Sequence, residues 1–79
     1  MIQVTVGTNT NRRRVNVDPN LTVKEVLEQN NVNYSATTIH LDGAPLNATE
    51  INSTFTDLGI DSDCYLLSIV KAENAYRFM

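Results

Sequence analysis

Apolar and polar residues alternate from the start of the chain. Ile2, Val4 and Val6 are separated by Gln3 and Thr5, the period of a strand with one buried face. Gly7-Thr8-Asn9-Thr10-Asn11 has the composition of a turn, and alternation then resumes with Arg13, Val15 and Val17 set against Arg12, Arg14 and Asn16. These stretches predict a β-hairpin. Pro19 has no amide to give to a ladder and ends its second strand. The period then changes: Val23, Val26, Leu27 and Asn30 recur at spacings of three and four, while Lys24, Glu25, Glu28 and Gln29 fall on the other side. That is an amphipathic helix of about two to three turns. Thr22 is placed to cap it, with Glu25 three residues on to complete a capping box, and Leu21 can close on Val26 as a hydrophobic staple. Asn30 and Asn31 suit the helix end, because asparagine tolerates the left-handed conformation found there. So short a helix needs the hairpin's apolar face to hold it.

The second half repeats the logic with shorter elements. Thr37–Asp42 reads as a third strand with Ile39 and Leu41 inward, turned by Asp42-Gly43. Ala44-Pro45-Leu46 fits a short edge strand, where a proline is tolerated. Residues 47–59 have no sustained period, and Ile51, Phe55 and Leu58 are expected to anchor a covering loop or a single helical turn. Tyr65–Val70 is the most apolar run of the chain and is expected at the centre of the sheet. Its alternation is ambiguous, since Tyr65, Leu67 and Ile69 compete with Leu66 and Val70 for the core. The phase preferred here puts Leu67 and Ile69 inward and Leu66, Ser68 and Val70 outward.

Seventy-nine residues with 42% hydrophobic content predict one folded domain whose core is too small to enclose a deep substrate pocket. A net charge of -3 and a pI near 4.8 argue against a general nucleic-acid binder. The N-terminus alternates from Met1 instead of opening with the basic and apolar runs of a signal peptide, and no stretch approaches a membrane span. Sequons begin at Asn20, Asn33, Asn47 and Asn52, and without an export signal they reflect an Asn- and Thr-rich composition. With a single cysteine, Cys64, the expected setting is the cytoplasm and a reduced thiol.

Taken in order, hairpin, helix, strand, short strand and apolar strand form the series of the β-grasp fold, and several phrases resemble ubiquitin. Val17-Asp18-Pro19 followed by Thr22-Val23 and Val26 resembles its strand-to-helix junction, Leu41-Asp42-Gly43-Ala44-Pro45-Leu46 its strand-turn-strand, and Thr54–Ile60 the loop before its last strand. Thr22–Gln29 is also similar to the helix of the sulfur carriers that share this fold. The likeness spans residues 1–71. It implies an α+β, ubiquitin-like β-grasp domain with a mixed four- to five-stranded sheet packed on one helix, followed by a flexible tail over residues 72–79. Modifiers and sulfur carriers of this kind act through a C-terminal Gly-Gly, whereas here no glycine follows Gly59. The resemblance therefore implies a non-covalent protein-interaction module first, and a modifier or sulfur carrier in a conjugation or adenylation pathway only as the alternative.

In such a fold the helix covers one sheet face and the other is free. Leu66 and Val70 beside His40 would resemble ubiquitin's binding patch, with His40 where that patch has an aliphatic residue. The expected protein-binding residues are His40, Leu66, Ser68 and Val70, with Arg12 and Arg14 adding charge. Arg13 falls on the opposite side of its strand, so Arg12–Arg14 is not one three-charge patch. Against this stands the ordinary reading of scattered surface apolars and a solvated basic edge.

Enzymatic candidates are few. Cys64, His40 and Asp42 could approach one another, and cysteine with histidine is a nucleophile-base pair. An open sheet offers it neither oxyanion donors nor water exclusion, and Asp61 and Asp63 would raise the thiol pKa. A small core or edge cysteine is the preferred reading, and no enzyme activity is expected. One histidine, one cysteine and dispersed carboxylates give no metal cluster, and no Gly-rich phosphate loop is present. No cofactor, metal, nucleic acid or membrane is expected, only a protein partner met by a monomer or weak dimer.

Overall fold

The computed structural model describes residues 1–8, 10–35 and 37–69. β1 (Ile2–Thr8) and β2 (Arg12–Val17) pair antiparallel, with Val4 opposite Val15 and Ile2 opposite Val17. The turn between them brings the chain close upon itself, so that a Cβ on Gly7 would lie 2.0 Å from the Asn11 carbonyl oxygen. With φ at +154° as well, only glycine fits there.

Helix α1 (Val23–Gln29) follows, and its capping box forms as the residues foretell. Thr22 Oγ1 accepts from the Glu25 amide at 3.1 Å, while Glu25 Oε1 accepts from the Thr22 amide at 2.9 Å. Hydrogen bonds to the carboxylate, first from the Thr22 amide and then from its hydroxyl, hold the Glu25 carboxyl below its ordinary pKa. At the other end Asn30 Nδ2 donates to the Val26 carbonyl at 2.8 Å, and Asn31 turns left-handed at φ 59°. Val23, Val26 and Leu27 are fully buried on one face.

β3 (Thr38–Leu41) and β4 (Ala44–Pro45) form a second antiparallel pair, joined by Asp42 and Gly43, both at positive φ (51° and 87°). A two-residue turn of this kind matches the twist of its strands. The irregular stretch contains the single helical turn α2 (Ala48–Ile51), capped by Asn47 with Glu50. The chain after it is tied to the start of α1, with the Val23 amide donating to Ser53 and the Phe55 amide to Leu21. This clamp drives Phe55 fully into the core.

β5 (Cys64–Ile69) closes the sheet, parallel to β1 and antiparallel to β3. The strand order is β2-β1-β5-β3-β4, with α1 packed across one face. An α+β sheet with a parallel central pair, flanked by antiparallel outer pairs and gripping one helix, is the β-grasp arrangement.

One expectation is reversed. Leu66 is 0% exposed and Ser68 4%, so these face the helix together with Cys64, while Tyr65, Leu67 and Ile69 take the other face. The register explains the phase. Paired residues share a face, and β5 sets Leu66 against Leu41 and Ser68 against Ile39, both inward residues of β3. A serine is affordable in the core because its hydroxyl is satisfied: Ser68 Oγ donates to the Asn33 carbonyl at 2.8 Å and meets Thr37 Oγ1 at 2.6 Å. Val70, also expected outward, and the tail over residues 72–79 lie outside the described residues.

Candidate functional site

The register places the residues of the uncovered face in rows. Arg14 of β2, Thr5 of β1 and Tyr65 of β5 make one row; Arg12, Gly7, Leu67 and His40 make the next, ending on Pro45 of β4. Ile69 beside Thr38 follows. The basic side chains thus stand at one edge, and the apolar ones run down the centre, separated by the small or polar residues of β1. With strands about 4.8 Å apart, the two columns lie roughly 10 Å from each other. Tyr65 is half exposed at 50%, Leu67 and Ile69 are partly exposed, and both arginines are exposed.

Of the expected site residues, His40, Arg12 and Arg14 are therefore on the uncovered face. Leu66 and Ser68 are not: they are core residues, and Tyr65, Leu67 and Ile69 occupy the places expected of them. The signal for this phase is the pairing of β3 with β5, because Ile39 and Leu41 alternate inward and fix the phase of whichever strand lies beside them.

His40 is half-buried between its cross-strand partners Leu67 and Pro45. Its Nδ1 is shut off from solvent without a hydrogen-bond partner among the described residues, so a polar contact from this ring to an incoming group falls to Nε2. Asp42 is committed to structure. Its amide donates to the Tyr65 carbonyl at 2.9 Å and its Oδ1 accepts from the Tyr65 amide at 2.9 Å, pinning the start of β5 to the β3–β4 turn. Asp63 Oδ1 likewise accepts from the Gln3 amide at 3.1 Å.

Cys64 and His40 are not brought together. Cys64 points to the helix side and is 2% exposed, whereas His40 lies on the far face of the sheet. Burial first, then the negative charges of Asp42 and Asp63, push the thiol up to about 11. A thiol so protonated is a poor nucleophile at neutral pH. Among the described residues no group of three His, Cys, Asp or Glu side chains could hold a metal ion, and no helix is long and apolar enough to cross a membrane.

Comparison with family models and with curated proteins gives no match. Among solved structures, the chain is similar to a ubiquitin-like protein from the hyperthermophilic archaea Caldiarchaeum subterraneum, at 21% identity and a TM-score of 0.49 over 90% of this chain and 95% of that one.

Proposed function

We propose that this chain is a non-enzymatic protein-interaction module that binds its partner non-covalently through the uncovered sheet face. The observation that carries this reading is the column of Tyr65, Leu67 and Ile69 left on that face beside His40, bordered by Arg12 and Arg14. Tyrosine and arginine are the residues that most often anchor interfaces, and an apolar centre with a polar rim is the usual anatomy of one. Its basic border favours a partner with acidic residues flanking an apolar contact.

The test is capture by the tagged chain under native conditions, compared with a Tyr65→Asp and Leu67→Asp double variant. Both side chains face outward, so the variant is expected to fold and to lose the partner. Undiminished capture by a folded variant would remove this face from the account. The competing reading, a modifier or sulfur carrier, is separated by intact mass: heavier covalent species or a sulfur-sized gain would favour it.

A further inference from the structure

His40 sits on the uncovered face with its ring half-buried between Leu67 of β5 and Pro45 of β4. Among the described residues, its Nδ1 is the one buried side-chain nitrogen or oxygen that has no hydrogen-bond partner. What this position tolerates depends on the protons the ring carries. In a neutral imidazole one nitrogen holds the proton and the other is a bare acceptor. A buried N–H without an acceptor is rare in folded proteins, so the seated ring keeps its proton on Nε2, at the open side, and turns a bare Nδ1 inward.

A second proton removes that solution. It puts a charged N–H at Nδ1, against leucine and proline, where nothing accepts it, and an unpaired charged donor costs more than an unpaired neutral group. The seat that suits the neutral ring therefore rejects the imidazolium. A way out is at hand, because β4 is the edge of the sheet and only two residues long. Pro45 has no amide to give, and the next backbone bond, from the Leu46 amide to the Ile39 carbonyl at 2.8 Å, is untouched by a change of side-chain rotamer on His40.

Neighbouring charges do not hold the charged ring in place. On β3 the nearest is Asp42, which attracts an imidazolium but gives Nδ1 no hydrogen bond, its Oδ1 accepting from the Tyr65 amide. On this face of β5 the titratable side chain is the Tyr65 phenol, and β4, as Ala44 and Pro45, brings none. Arg12 shares the row of His40 but stands three strand spacings away, roughly 14 Å, beyond the screening length of about 10 Å at 0.1 M salt. We propose that His40 is a proton-operated switch in the shape of the uncovered face: the neutral ring is seated between Leu67 and Pro45, and protonation turns it out to solvent, baring Leu67 and setting a cation beside it. The switch needs no partner. For a protein that meets this face, a consequence that rests on the function proposed above, it means release as the pH falls.

His40 is the only histidine of the chain, so its ring signals are unambiguous. The experiment is NMR on the full chain labelled with ¹⁵N and ¹³C, taken from pH 8 to pH 5, the range in which histidine ordinarily changes charge. In the neutral ring, long-range ¹⁵N–¹H spectra are expected to show the proton on Nε2, with nuclear Overhauser contacts from the ring to Leu67 and Pro45. As the ring gains its second proton those contacts should be lost, and the amides of Thr38, Ala44 and Leu67 should shift along the same titration curve. A His40→Gln chain, folded as before, should lack these shifts. A neutral ring protonated on Nδ1 would overturn the proposal, as would ring contacts undiminished in the charged state. So would a ring that stays neutral throughout, or the same amide shifts in the His40→Gln chain.

Discussion

Leu66 and Leu67 are chemically identical neighbours with opposite fates, and the difference is set by strand register. Leu66 is enclosed between Val6 and Leu41 in the core, whereas Leu67 lies between Gly7 and His40 on the outer face. Leu66→Asp would bury an unpaired carboxylate, a cost of several kcal/mol against a total stability of about 4–12 kcal/mol for a chain of this size. Thermal unfolding should therefore find the Leu66→Asp chain largely unfolded and the Leu67→Asp chain close to wild type. Equal damage from both would contradict the assigned phase. Cys64 is subject to a similar argument. Its thiol pKa, raised to about 11 from the ordinary 9.0, means the folded chain keeps a proton that the unfolded chain releases. Stability is thus fully present below pH 9 and falls as pH rises from there towards 11, because the unfolded state binds fewer protons in that window. Labelling with a maleimide at pH 7 should be slow, and Cys64→Ala should flatten the alkaline loss seen by denaturant titration. Rapid labelling of the folded chain would contradict a buried, protonated thiol.

At the scale of elements, the start of α1 is the most legible part of the chain and also the most consequential. Thr22 and Glu25 were readable as a reciprocal cap because the capping box is a local device, needing only two residues at a fixed spacing. The same local chemistry marked the Asp42-Gly43 turn and the left-handed end at Asn31. Removing the cap by Thr22→Ala should cost about 1 kcal/mol in denaturant unfolding, without change of fold. The cap also has a pH signature. Since the folded Glu25 carboxyl titrates below its unfolded value, its contribution is present above the unfolded pKa and is lost as pH falls through the folded one. Glu25→Gln should narrow its gap from wild type under acid; a constant gap from pH 7 down to pH 2 would contradict that coupling.

At the scale of the whole molecule, what could not be read locally was the phase of β5. A strand with a leucine on each face and an isoleucine and a tyrosine on the outer one carries little alternation, and Ser68 reads as an outward residue because its partners, the Asn33 carbonyl and Thr37, lie more than thirty residues away in sequence. The fold does not depend on that phase, since the order of elements and the inward faces of β1, α1 and β3 are legible in the sequence. The site does: two of its expected residues moved to the core, while His40, Arg12 and Arg14 stayed on the outer face.

The central claim is that a partner meets the uncovered sheet face, and site-specific photo-crosslinking in the native cells tests it most directly. A photoreactive side chain replaces Leu67 in one chain and Lys24, exposed on α1, in another. The account predicts a discrete partner adduct from position 67 that the Tyr65→Asp change removes, and none of comparable yield from position 24. Adducts from position 24 alone, or equally from both, would show that the partner does not meet this face.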